Sequence, residues 1–288
     1  MELSLVEVGK RFKEIRLSRG YSREIASKDI VSTSFLNKFE RGETNISFIK
    51  MVALLKRLNI STSEFLQPLD PDSNVSYTVF LKRLMEIYTH NDARTLKKML
   101  SEIQNQTTIK NSKLDTVKQA TLISLISDLD PSFSIDISLE KEIRYYFMTI
   151  DDWTGFQISA FSNCLTVLTT TSIRLIIKEL ISKFRDLKNI NNNDDTFLGT
   201  LINAAEILIN RGELDDARKI IGLLDDFNIS HLKLLLRFKK TFLYNLLFLD
   251  SAKAVKKNNL MFQTLRDIGS GQLASSYEDY QEKFYHSA

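Results

Sequence analysis

Apolar residues Leu5, Val8, Phe12 and Ile15 recur at helical spacing, so residues 3–18 read as an amphipathic helix that Gly20 closes. Ser22 is placed to cap a short second helix ending near Lys28. Ser32 or Thr33 caps a third, which carries Phe35, Leu36, Phe39 and Glu40 and stops at Arg41-Gly42. Ser47 caps a fourth with Ile49, Val52, Leu54, Leu55 and Leu58, and Ser61 caps a fifth through Phe65-Leu66. Short helices in this order, the second and third separated by a tight turn, predict a five-helix helix-turn-helix domain over 1–66.

The stretch 67–74, Gln67-Pro68-Leu69-Asp70-Pro71-Asp72-Ser73-Asn74, holds two of the three prolines and reads as a linker. Beyond it the texture is helical and repeats itself. Five segments share an apolar pattern around a small or polar centre at Arg83, Ser124, Asn163, Asn203 and Asn245, in steps of 41, 39, 40 and 42 residues. A period near forty suits a stack of helix pairs. The string Gly212-Glu213-Leu214-Asp215-Asp216-Ala217-Arg218 resembles the second half of a tetratricopeptide repeat. The expected architecture is all-α: the helix-turn-helix domain, then over 75–288 an α-solenoid of tetratricopeptide-like helix pairs, with a terminal helix at 272–285 capping the stack.

Charge sharpens this division. The chain carries a net +3, yet 1–66 hold twelve Lys+Arg against eight Asp+Glu, while the remainder holds 27 against 28. Positive charge is concentrated where a phosphate backbone would be met. The lone Cys164, in an apolar run, reads as a buried structural thiol and excludes an internal disulfide or multi-cysteine metal site. His90, His231 and His286 have no neighbours at metal-ligand spacing, and no phosphate-binding glycine pattern or nucleophile elbow occurs. The expectation is a non-enzyme without cofactor or metal. With no signal peptide or membrane span in the pattern, it is placed in the cytoplasm.

The runs Ser22-Arg23-Glu24-Ile25-Ala26 and Ser32-Thr33-Ser34-Phe35-Leu36-Asn37-Lys38-Phe39-Glu40-Arg41-Gly42, with Leu54 to Phe65, closely resemble the Cro/C1-type helix-turn-helix family. A recognition helix docks its N-terminal residues on base edges, which puts Thr33, Ser34, Phe35 and Asn37 on the DNA side. The Asn37 amide could read adenine; Phe35 could pack on a thymine methyl or belong to the core. Arg11, Arg16, Arg23, Lys38 and Arg41 are candidates for phosphate contacts, with a solvated surface role open for each. Arg23 stands where this family usually has glutamine, and Glu40 resembles a structural residue of the family.

Taken whole, the chain resembles the Rgg/GadR/MutR family of Firmicute regulators. The resemblance rests on Phe39-Glu40-Arg41-Gly42-Glu43 followed by Ile46-Ser47, on the domain order, and on Trp153 with Phe161-Ser162-Asn163-Cys164. It implies a homodimer on a palindromic promoter element, controlled by a short, mostly hydrophobic peptide. Asparagine amides donate and accept together, so Asn163, Asn203 and Asn245, with Arg83 and Tyr244, are the candidate peptide-binding residues; local helix hydrogen bonds are the competing role for the asparagines. Tyr277, Tyr280, Phe284 and Tyr285 give the terminal helix enough aromatic area to suggest a dimer surface. A repeat scaffold that binds a protein partner and is tethered to DNA by its head is the alternative function.

Overall fold

The computed structural model describes residues 4–66, 77–105, 113–186, 194–227 and 229–287. The described chain contains sixteen α-helices and no strand, and it divides into two compact units, 1–80 and 81–288. The expected linker at 67–74 lies outside the described residues.

In the first unit α1 spans Leu5–Ser18, α2 Arg23–Ser27, α3 Thr33–Glu40, α4 Phe48–Arg57 and α5 Thr62–Leu66. Serines start all five. Ser4 and Glu7 form a reciprocal capping box on α1, and Ser22, Ser32 and Ser47 accept from the backbone amides of Ile25, Phe35 and Lys50. Ser61 accepts from Glu64 N at 3.1 Å. Each such cap satisfies a donor that the helix itself leaves unpaired and is worth about 1 kcal/mol. One core forms from Phe12, Ile15, Ala26, Leu36, Phe39, Leu54, Leu55, Leu58 and Phe65. Two glycines let the elements approach closely. A Cβ on Gly9 would meet Phe39 O at 2.1 Å, and Gly42 combines φ +72° with the Val6 backbone at 2.6 Å from its would-be Cβ. Ile49, expected on the buried stripe of the fourth helix, is instead 81% exposed, because it is out of phase with the buried Met51, Leu54 and Leu55.

The second unit continues from α6 (Tyr77–Thr89), within which the division falls, through α7 (Ala93–Asn105), α8 (Lys113–Leu129), α9 (Ile137–Met148), α10 (Gly155–Cys164), α11 (Thr170–Asp186), α12 (Asp194–Asn210), α13 (Leu214–Leu223), α14 (Leu234–Phe248), α15 (Ser251–Asp267) and α16 (Gly271–Ser287). The five repeat centres fall one each on α6, α8, α10, α12 and α14. Helix α10 packs on α8, α12 on α10 and α14 on α12, while α11 packs on α9, so the first and second helices of successive pairs form separate rows. The forty-residue period is written in the hydrogen bonds between repeats: Tyr88 to Asp128, Asn203 to Ser162 and Thr200 to the Ile158 carbonyl span 40, 41 and 42 residues.

Polar ties join neighbouring elements at several points. The Arg211 guanidinium donates to the carbonyls of Leu168 at 2.8 Å and Thr166 at 3.0 Å, satisfying backbone acceptors just beyond α10. Arg174 on α11 pairs with Glu213 and Asp216. Trp153 lies in an aromatic cluster with Phe147 and Phe161, at centroid distances of 5.9 Å from each. Cys164 is buried with its thiol towards the Val117 carbonyl of α8, and burial pushes that thiol up to about 12, as befits an inert structural cysteine.

Candidate functional site

The recognition helix of the head is α3. Its Leu36, Phe39 and Glu40 point inward, which leaves Ser34, Lys38 and Arg41, at i, i+4 and i+7, exposed along the opposite face. Thr33 and Asn37 flank that stripe half-buried; the Thr33 hydroxyl lies 3.3 Å from that of Ser27. Arg41 is exposed and pairs with Glu43 at 2.9 Å. Phe35 is half-buried against the core and has the Lys50 ammonium 5.7 Å from its ring centroid, so packing accounts for its bulk.

What orients α3 is a buried charge knot. Glu40 accepts from Arg16 Nε at 2.5 Å and Nη2 at 3.0 Å, and from Arg23 Nε at 2.8 Å. A further Arg16 bond reaches the Tyr21 carbonyl at 2.7 Å. Burial resists ionisation of Glu40, but the hydrogen bonds and charges of the two arginines outweigh it and hold the carboxyl below its usual range. The expectation that Arg16 contacts phosphate is therefore corrected: the side chain is enclosed, with its donors committed to Glu40 and Tyr21. Arg23 is partly exposed yet joins the same knot. Arg11 is half-buried.

The candidate peptide residues are not brought together. Asn203 lines a cleft of about 410 Å³ between α10, α12 and α16 and donates to Ser162 Oγ at 3.0 Å. Asn163 is half-buried on α10 and is not among the residues lining that cleft. Asn245 is 3% exposed and donates to Asn258 Oδ1 at 2.8 Å, while Asn258 donates to Gln281 Oε1 at 2.8 Å. This buried amide chain joins α14, α15 and α16, so Asn245 is corrected from a ligand contact to an internal tie. Tyr244 stacks on Phe248 and lines a different cavity, and Arg83 is exposed on α6.

Sequence reasoning missed the far wall of the cleft. Helix α16 supplies Ser276, Tyr277 and Tyr280 to it, and α12 supplies Glu206. Tyr277 packs edge-on against Phe238 and Phe242 at 5.0 and 4.8 Å, and Tyr280 against Phe242 at 5.9 Å. The aromatic area expected to form a dimer surface is thus, for these two tyrosines, turned onto the protein's own helices. Burial, together with the Glu206 charge, raises both phenols far above their usual range. The aromatic excess of the last helix was visible in the sequence; its partner was not.

An exposed polar recognition helix on a compact five-helix head, followed by stacked helix pairs, defines a helix-turn-helix transcription regulator. The helix-turn-helix family model matches residues 12–65, and the model described as the C-terminal domain of the HTH-type transcriptional regulator Rgg matches 97–279. The chain belongs to the Rgg family of transcriptional regulators. Solved structures share the fold over nearly the full length. A putative transcriptional regulator from Listeria monocytogenes EGD-e superposes with TM-score 0.79 at 18% identity, covering 97% of each chain. The Streptococcus dysgalactiae SHP pheromone receptor Rgg2 gives 0.76 at 19%, covering 96% of this chain and 99% of that one. PrgX in its complex with cCF10 gives 0.69 at 19%, covering 97% and 92%. Among the described residues no helix is long and apolar enough to cross a membrane.

Proposed function

We propose that the chain is a cytoplasmic, non-enzymatic, peptide-responsive regulator. Its homodimer reads a palindromic promoter element with two α3 helices, and its repeat unit takes a short hydrophobic peptide in the cleft between α10, α12 and α16. The observation that carries this reading is the cleft itself. It combines apolar surface from Leu165 and Ile207 with the amides of Asn203 and Asn210, in a family of transcription regulators. Apolar walls with a few fixed polar groups are what an extended peptide requires. Fold neighbours are described as a pheromone receptor and as a peptide pheromone/receptor complex, which supports the same ligand class here.

On the DNA side, Ser34 and Asn37 are the proposed base readers, with Thr33 beside them, and Lys38 and Arg41 the phosphate contacts. One such head reads too few base pairs for useful selectivity, which favours paired half-sites. The test is a fluorescence-polarisation titration of the purified full-length protein with short hydrophobic peptides encoded beside its own gene. Saturable binding that Asn203→Ala weakens is expected. Binding of a folded protein partner, with no peptide bound, would replace this reading by the scaffold.

A further inference from the structure

Among the described residues lining the α10–α12–α16 cleft, Glu206 alone is charged. Its carboxylate is largely withdrawn from water yet poorly met by the protein. Lys239 Nζ stands 3.7 Å from Oε2 and the Tyr277 hydroxyl 3.5 Å from Oε1, while the Tyr280 hydroxyl turns to the Glu206 backbone carbonyl at 3.4 Å. A charge-assisted hydrogen bond normally closes to about 2.7–2.9 Å. Arg211, on the turn just after α12, directs its guanidinium to the carbonyls of Leu168 and Thr166 instead. Burial raises the Glu206 carboxyl, and Lys239 and Tyr277 offset that only in part. A carboxylate in this condition gains directly from a cation brought into the cleft.

We infer that Glu206 anchors a cationic nitrogen of the ligand, with the ligand's adjoining apolar side chain resting on Leu165, Ile207 and the rings of Tyr277 and Tyr280. The inference rests on the proposed peptide-binding function and adds a charge requirement to it. A free peptide amino terminus and a lysine side chain both supply the chemistry.

The full-length protein is mixed with random octapeptides of Leu, Ile, Val, Phe, Trp and Gly in three equal sub-pools: free amino terminus, acetylated, and acetylated with one Lys. Retained peptides are separated by gel filtration and quantified by mass spectrometry. The wild type is expected to enrich the free-amine sub-pool over the acetylated one by about tenfold, the scale of one good charged contact. Glu206→Gln is expected to abolish that preference, the free-amine and acetylated sub-pools then being retained in equal proportion. Enrichment confined to the lysine sub-pool would also support the cation anchor and assign it to a side chain. Equal retention of all three sub-pools by the wild type overturns the anchor and leaves peptide binding standing. Retention of none overturns peptide binding and the anchor with it.

Discussion

Glu40 in the N-terminal unit and Glu206 in the C-terminal unit are both glutamates largely withdrawn from water, and the two are held in opposite ways. Glu40 has three arginine hydrogen bonds between 2.5 and 3.0 Å, and its carboxyl is held low. Glu206 has partners at 3.5 and 3.7 Å, faces a cleft, and its carboxyl is raised. A fully paired buried charge fixes geometry and offers nothing to a ligand. An under-paired one adds little to the fold and keeps its interaction capacity for what enters. In the proposed function the head supplies a rigid reading edge and the repeat unit the adjustable site.

The largest expected effect breaks the closed side of this comparison. Glu40→Ala leaves the buried Arg16 guanidinium without its counter-charge and should cost the head about 3–5 kcal/mol, measured by urea unfolding. Arg23→Ala, whose side chain is partly solvated, should cost distinctly less than Arg16→Ala. If the two arginine variants unfold alike, the knot is not the organising contact.

A middle-sized effect separates internal tie from ligand contact within the repeat unit. Asn245→Ala orphans the buried Asn258 amide and should destabilise by about 1–3 kcal/mol, with peptide affinity unchanged in the folded fraction. Asn203→Ala, half-exposed at the cleft, should show the reverse pattern in melting and polarisation measurements.

On DNA, Asn37→Ala should lose about 1–3 kcal/mol of discrimination at one base position. Arg41→Ala should weaken binding to all sequences alike and lower the salt slope by about one. Mobility shifts over a series of mutated operators distinguish the two.

The smallest effect concerns pH and runs in opposite directions for the two glutamates. Glu40 has a lowered folded pKa, so its contribution is complete above the ordinary carboxylate value of 4.5 and is lost as pH falls through the lower folded value. Glu206 has a raised folded pKa, so it burdens stability at neutral pH and the burden is relieved as pH falls through that value towards 4.5. Glu206→Gln should therefore flatten the acid limb of the stability profile of the second unit, and Glu40→Gln should flatten that of the head.

The fold was largely legible because its signals are local. Ser22, Ser47 and Ser61 mark helix starts by a single hydrogen bond each, and the repeat centres recur because every helix pair must bury the same stripe. The site was less legible because it depends on contacts far apart in sequence. Arg16 and Lys38 are both cations on helices of the head, yet one is enclosed by Glu40, 24 residues away, and the other is free to face solvent. Asn203 and Asn245 occupy equivalent repeat centres, but α15 and α16 cover the second and leave the first on a cleft. Glu206 lies three residues from Asn203 and carried no signal by itself. Its meaning comes from Tyr277 and Tyr280, more than seventy residues further on.

The most direct test of the contrast is a carboxyl-carbon NMR titration of the full-length protein with Glu40 and Glu206 assigned by their Gln variants. Glu40 is expected to titrate below 4.5 and Glu206 above it, with Glu206 moving down when a retained free-amine peptide is added. A Glu206 that titrates at or below 4.5 without ligand, or that ignores the bound amine, would contradict the account.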